Sequence, residues 1–598
     1  MLLFTILLSL PGLAAVAPAS VVLISVDTLR ADRLGCYAHG KVRTPHFDEL
    51  ASGGTLFSRV DSPVPLTLPA HMSLLSSTYP VTHGVEENGQ QVVPGAVTLA
   101  TVLKSHGYRT AAFIGGYVLD ARFGLNQGFD IYDSPFHLSP HPGEEPPEIK
   151  RPAEAVLGAA ARWIHAQSGQ PLFAFIHLYD VHQPYSHGSY NGEVAYVDAA
   201  IGKFWKTLSA HGFLKDAIIV LTSDHGESLG EHGEETHGYF IYQSTLHVPL
   251  ILHWPAGVSR PARIETPASL IDVAPTLLDA LGLPAPPRFR GHSLLKPAAE
   301  QPVYSESMYA RDHLGCSALR SVRLGRYKYI EAPKAELFDL EADPGESQNL
   351  YDRDRPLAAK LRSQLVAQIA TERPAAAGAT NAEVLAKLRS LGYLGGGPRR
   401  SISGADPKDR LQAYLRYGRA IRLANTGQLP DAIREFKDVL KDDPQNVQAH
   451  FYMAVCYYRS HRLDEAVDAL SRTLAAAKNY PPAEELLGSI WLLKNDYVRA
   501  RQQFTHLASV EPSNYGAHYN LGILAMRNGR AEEALREFQA AVRADPGAAQ
   551  PHSALGSLYS AKGDLERAKE EFARAIALNP DDAASRRSLE RLRTSPHP

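Results

Sequence analysis

Residues 217–225 read AIIVLTSDH: six apolar or β-branched positions, a serine, then an acid and an imidazole. A short run that is apolar at every position is how a strand buried on both faces reads. The same pattern occurs at Val21–Val26, followed by Asp27, and at Leu172–His177, followed by Asp180 and His182. Thr110–Ile114 and Val248–Leu252 add two more apolar runs, and helix-like segments lie between them at Thr98–His106, Ala153–Ala166 and Tyr196–His211. Strands alternating with helices predict an α/β domain with a mostly parallel sheet and helices on both faces. Such sheets bind ligands beyond the carboxyl ends of their strands. Three strands that each deliver a carboxylate or imidazole to one edge fit a site better than they fit solvated loops.

Working outward, Pro65–Asn88 reads PLTLPAHMSLLSSTYPVTHGVEEN. Thr67 stands just before a helix-like run, where free backbone N–H groups and the positive end of the helix dipole favour a tetrahedral anion. A polar loop capping a helix, with Thr67 a surface hydroxyl, is the plainer alternative. Asp27, Asp224, His225 and Thr67 together could hold one divalent metal through hard oxygen and imidazole ligands. A metal beside the Thr67 hydroxyl would lower its pKa and make a nucleophile. Asp180, His182 and His237 could form a second metal site across the reacting centre, or bind substrate. Asn88 could donate a hydrogen bond to a non-bridging oxygen.

The chain has 598 residues, enough for two to four domains. A hydrophobic content of 44% fits a large globular core, and a formal net charge of −3 gives no reason to expect nucleic acid as a partner. Cys36, Cys316 and Cys456 make neither a metal spacing nor a disulfide framework. Residues 1–17, MLLFTILLSLPGLAAVA, end in a small-x-small pattern and read as a signal peptide, although no Lys or Arg precedes the apolar run. The expected location is therefore outside the cytoplasm, periplasmic or extracellular, or tethered by an uncleaved N-terminus. GLPAPPRFRG (282–291) and PAAAGAT (374–380) punctuate the chain, and Tyr327–Leu350 predicts a hairpin in a second, smaller sheet at about 300–350.

From about Lys408 the pattern becomes helical with a period of 34 residues. Ala432, Ala466, Ala500, Ala534 and Ala568 share one lattice; Phe436, Leu470, Phe504, Phe538 and Phe572 share another. Pro444, Pro512, Pro546 and Pro580 repeat likewise, with Lys478 the one departure. The pattern resembles tetratricopeptide repeats, an all-α solenoid over 408–594 closed by a helix at Ala583–Leu592. Its stacked helix pairs imply a docking surface for protein or glycan.

The region from about Val21 to Leu350, within a domain expected over 18–400, resembles the sulfatase branch of the alkaline phosphatase superfamily. VDTLRADRLGCYAHG (26–40) looks like that family's opening strand and metal aspartate, SDHGESLGEHG (223–233) like its later metal pair, and HQPY (182–185) like its His-x-Pro-His substrate motif. IDVAPTLLDALGLP (271–284) and ELFDLEADPGESQNL (336–350) look like its late segments. True sulfatases carry Cys or Ser in a C/S-x-P-x-R motif and oxidise it to formylglycine. Here Thr67 and His71 fill those slots, so His71 takes the place of a substrate-binding arginine. A threonine would yield a ketone rather than the aldehyde. The run TLPAH…YPVTHGVEEN is instead similar to nucleotide pyrophosphatase/phosphodiesterases, which use a Thr nucleophile, two zinc ions and an Asn. Their Asp-x3-His pair is replaced by Asp180-Val181-His182. The resemblance therefore implies a metal-dependent hydrolase of phosphate mono- or diesters with one or two divalent ions (zinc, calcium or manganese). The alternatives are a sulfuric ester hydrolase, a phosphotransferase on a lipid or glycan headgroup, or an inactive binding scaffold.

Overall fold

The apolar run ending in Asp27 forms the middle of the larger sheet. A computed structural model describes residues 19–37, 41–136, 150–167, 170–296, 300–372 and 404–594. The signal peptide expected over residues 1–17 and the segment PAAAGAT lie outside the described residues. The sheet runs β4 (Ile131–Asp133), β3 (Arg109–Ile114), β5 (Leu172–Leu178), β1 (Ser20–Val26), β6 (Ala217–Thr222), β7 (His247–His253), β2 (Gly54–Asp61), β8 (Arg263–Ile264), with β9 (Ala268–Ser269) also paired to β2. β1 is parallel to both β5 and β6, with Val26 opposite Leu178 and Ser25 opposite Thr222. Their carboxyl ends therefore finish level, which brings Asp27, Asp180 and Asp224 to one edge. β7 runs antiparallel to both β6 and β2. Every residue of β5 and β6 is buried, as their unbroken apolar runs require.

The helix Ala153–Ala166 forms as expected, and the next helix begins earlier than its apolar pattern indicated, at Tyr190, where the Ser189 hydroxyl accepts from the Gly192 N–H. A second sheet, β10 (Val303–Ser307), β11 (Leu319–Leu324), β12 (Tyr327–Glu331) and β13 (Glu336–Asp339), is antiparallel throughout and contains the expected hairpin. Among the described residues no helix is long and apolar enough to cross a membrane.

The chain divides into two compact units. The α/β unit includes residues 404–411, beyond its expected end at 400, because hydrogen bonds fasten this segment to it. The other unit is helical, from the part of the helix Pro407–Asn425 beyond Leu411 through Ala583–Thr594. All five lattice alanines are fully buried, and Phe436, Leu470, Phe504, Phe538 and Phe572 lie beneath the surface with them. The sequence lattice has a fourth, unforeseen member: Gly488, Gly522 and Gly556. A Cβ at Gly522 would fall 2.6 Å from the Phe538 ring, and at Gly488 2.7 Å from that of Phe504. The missing side chain on one helix is the space the aromatic of the next one fills. Gly522→Ala is expected to cost about 1–3 kcal/mol through overpacking, because Phe538 is fully buried and has no room to swing aside. Urea unfolding followed in the helical unit would measure it, and an unchanged midpoint would show that the contact relaxes freely.

Candidate active site

Asp27 ends the central strand, and the chain turns away through Thr28 at φ 57, a conformation a β-branched residue rarely adopts. That turn aims the Thr28 N–H at Asp224 Oδ1 (3.2 Å), while the Leu29 N–H donates to Ser223 Oγ (3.0 Å). The ends of β1 and β6 are thereby locked together. Asp27, Asp224 and His225 are fully buried, and one ligand atom from each lies within 4.8 Å of the others. Asp27 Oδ1 and Asp224 Oδ2 are buried with no hydrogen-bond partner. Two orphaned carboxylate oxygens are costly unless a proton or a cation meets them. Burial pushes the Asp27 carboxyl up to about 7; His225 opposes the rise and Glu227 adds to it. Asp224 is raised by burial and then by Asp27. The His225 ring joins its Nδ1 to the Gly226 carbonyl (2.9 Å), which leaves Nε2 as the lone-pair side facing Asp224 Oδ2 (3.3 Å). Two carboxylates and an imidazole form a donor set that suits a divalent cation.

Thr67 is the first residue of the helix Thr67–Ser76, whose N-cap, Leu66, provides no side-chain cap. Its Oγ1 lies 3.4 Å from His225 Nε2. Every residue of this helix is buried, which its apolar and small composition allows. The Leu68 N–H donates to Asn88 Oδ1 (2.8 Å), so Asn88 sits at the same helix start with its amide N–H groups as the donor end. His71 lies one turn on. Its Nδ1 meets the Thr67 carbonyl (2.7 Å) and its Nε2 the Ser25 hydroxyl (2.9 Å); burial drives its pKa down to about 3. Both of its nitrogens are thus engaged within the protein, 3.6 Å from Asp224 on the Nδ1 side.

The structure does not bring Asp180, His182 and His237 together as a second group of metal ligands among the described residues. Asp180 instead accepts from the Ala153 N–H (3.3 Å) at the start of the helix Ala153–Ala166, and burial raises its carboxyl to about 6. His182 stacks on Tyr179 at 4.5 Å. The His237 ring lies 4.4 Å from that of His225 and 5.3 Å from that of His182. Two further residues belong here that the sequence reading missed. His177, at the end of β5, places Nε2 3.2 Å from Asp27 Oδ2. Glu227, fully buried, faces His237 Nδ1 at 3.2 Å, and burial pushes it up to about 8. An acid and an imidazole inside an expected strand and loop were the only signals for them.

Comparison with known proteins follows this geometry. A family model described as Sulfatase matches residues 19–283, and one for the C-terminal region of N-sulphoglucosamine sulphohydrolase matches 230–374. Tetratricopeptide repeat models match 423–490, 486–549 and 525–592. The ulvan-active sulfatase of Formosa agariphila is 25% identical over 418 residues, covering 58% of this chain and 80% of that protein. Human arylsulfatase A is 26% identical over 435 residues, 57% of this chain and 84% of that one. The crystal structure of a phosphonate monoester hydrolase of Agrobacterium radiobacter superposes with a TM-score of 0.51 at 21% identity, over 59% of this chain and 95% of that one, a likeness of fold.

Proposed function

Because the chain carries a sulfatase-family domain followed by tetratricopeptide repeats, we propose that it is a metal-dependent ester hydrolase whose nucleophile is Thr67. The observation that carries this reading is the Thr67 hydroxyl at a helix start, 3.4 Å from an imidazole that clusters within 4.8 Å with two carboxylates, each bearing an oxygen that has no hydrogen-bond partner. Asp27, Asp224 and His225 would hold the cation, which when bound would supply charge neutralisation and a lowered pKa for a neighbouring hydroxyl. Thr67 Oγ loses its proton to solvent and attacks the phosphorus or sulfur of the ester; the bond to the leaving oxygen breaks, and that oxygen takes up a proton. Asn88 donates to a non-bridging oxygen. Burial pushes the Glu227 carboxyl up to about 8; a proton it keeps would be donated to His237 Nδ1 and would leave that ring's own proton on Nε2. His237 then faces the leaving group as a donor, while His182, whose Nδ1 donates to the Gln183 carbonyl (2.6 Å), presents Nε2 as a lone pair. Water hydrolyses the ester on Thr67, returning the hydroxyl and releasing the oxyanion. His71, tied to Thr67 and Ser25, orients the helix start. His177 does the same for Asp27.

Two substrate classes compete. A threonine cannot become an aldehyde, which favours phosphate esters. The curated relatives are sulfatases, which favours sulfuric esters more directly. A purified full-length preparation assayed on matched aryl phosphate and aryl sulfate decides between them. We expect the phosphate to turn over faster by at least about tenfold, since its greater charge benefits most from a cationic site. A preference for sulfate would transfer the assignment to the sulfuric ester reading. Export directed by residues 1–17, and docking of protein or glycan to the repeats, belong to the same proposal.

A further inference from the structure

The loop that carries His237 is fastened from behind by the segment that leads into the repeats, and the fastening lies within the α/β unit. Gly238 passes through φ 97, and its carbonyl accepts from the Ser307 hydroxyl (2.6 Å). The next residue, Tyr239, is fully buried; its N–H donates to Glu234 Oε1 (2.9 Å) and its phenol O–H to the Pro407 carbonyl (2.7 Å). Tyr242 donates to Glu336 (3.0 Å), and Lys408 Nζ pairs with the same carboxylate at 3.2 Å. At the other end of the loop a Cβ on Gly233 would meet Leu411 Cδ2 at 2.9 Å, so the two chains are in close contact. Residues 405–411 therefore hold 233–242 directly at Tyr239 and Gly233, and at Tyr242 through the Glu336 carboxylate.

The segment is itself anchored. The Ser317 N–H donates to the Ala405 carbonyl (2.9 Å). Asp406, 3% exposed, accepts from the backbone of Lys334 (2.8 Å) and of Lys408 (2.9 Å). A buried carboxylate that accepts two backbone N–H groups holds a fixed loop conformation. What it fixes is the Pro407 carbonyl that receives Tyr239.

We propose that residues 405–411 are a strap that positions His237, and that Tyr239 and Asp406 are positioning residues acting through that imidazole. The inference rests on the reading that His237 faces the leaving group. A loop held this way presents its imidazole in one orientation at no cost in the reacting complex.

The test uses the full-length chain with Tyr239→Phe, which keeps the ring and removes only the phenol O–H, and with Asp406→Asn. Hydrogen exchange of the peptide spanning 230–242 reads the loop directly, and steady-state kinetics on the better aryl ester read its consequence. Expected in both variants is exchange of that peptide faster by about tenfold with β1 and β6 unchanged, the scale of one hydrogen bond. A several-fold loss of kcat at unchanged KM should accompany it. The loss should shrink on an ester whose leaving group needs no proton, a dependence a purely structural role would not produce. Unchanged exchange in both variants would overturn the strap. Faster exchange with kcat untouched would overturn the positioning role. If the parent hydrolyses neither ester, the functional reading fails while the exchange experiment still decides the strap.

Discussion

Replacing Thr67 by alanine is expected to lower turnover by roughly a thousandfold or more, the scale on which nucleophile removal acts in enzymes with covalent intermediates. The side chain sits at an uncapped helix start against His225 Nε2, and its loss leaves both carboxylates in place. Cation binding should therefore survive, and elemental analysis of the variant would confirm that the site itself is intact. Thr67→Ser keeps the attacking oxygen and should retain activity within roughly tenfold. Mass spectrometry of acid-quenched reactions should find the transferred group on the peptide containing residue 67. Full activity in Thr67→Ala would remove Thr67 as the nucleophile.

Asp224→Ala should lower activity by at least about a hundredfold. One of its oxygens accepts from the backbone of Thr28 and His225, and the other has no hydrogen-bond partner. The substitution thus loosens the turn after β1 and deletes a ligand together. Chelator should silence the parent protein and lower its melting temperature, and a divalent ion should restore both, because a ligand that binds only the folded state stabilises it. Activity that persists in parent protein shown to be free of metal would end the metallohydrolase reading, and normal ion content in the variant would remove Asp224 as a ligand.

Much of this architecture was legible in the chain. Buried central strands must be apolar throughout, so β1, β5 and β6 declared themselves, and the acids that follow them could only lie at the carboxyl edge. The 34-residue lattice was plain because stacking repeats one contact many times. β2 escaped notice because GTLFSRVD mixes polar and apolar residues, as suits a strand with half-exposed positions. Asp180 looked like a ligand by position, yet it caps a helix, a partnership that spacing does not reveal. Glu227 and His177 needed the third dimension: each becomes notable only through a residue elsewhere. The strap was hidden for the same reason. A boundary read from periodicity marks where the helices begin, whereas Pro407 meets Tyr239 across 168 residues of chain.

The central place of β1 also bears on how the molecule reaches its native state. This strand is made before either neighbour, and Asp27 meets His177 only after 150 more residues have been added. During synthesis SVVLISV waits as an unpaired apolar edge, the kind of segment that seeds aggregation. The repeats emerge after the sheet and close chiefly through contacts between neighbouring helices, so their order can form quickly. Of the described strands of this sheet, β1 therefore depends longest on being kept from other chains, until β5 and β6 have been made.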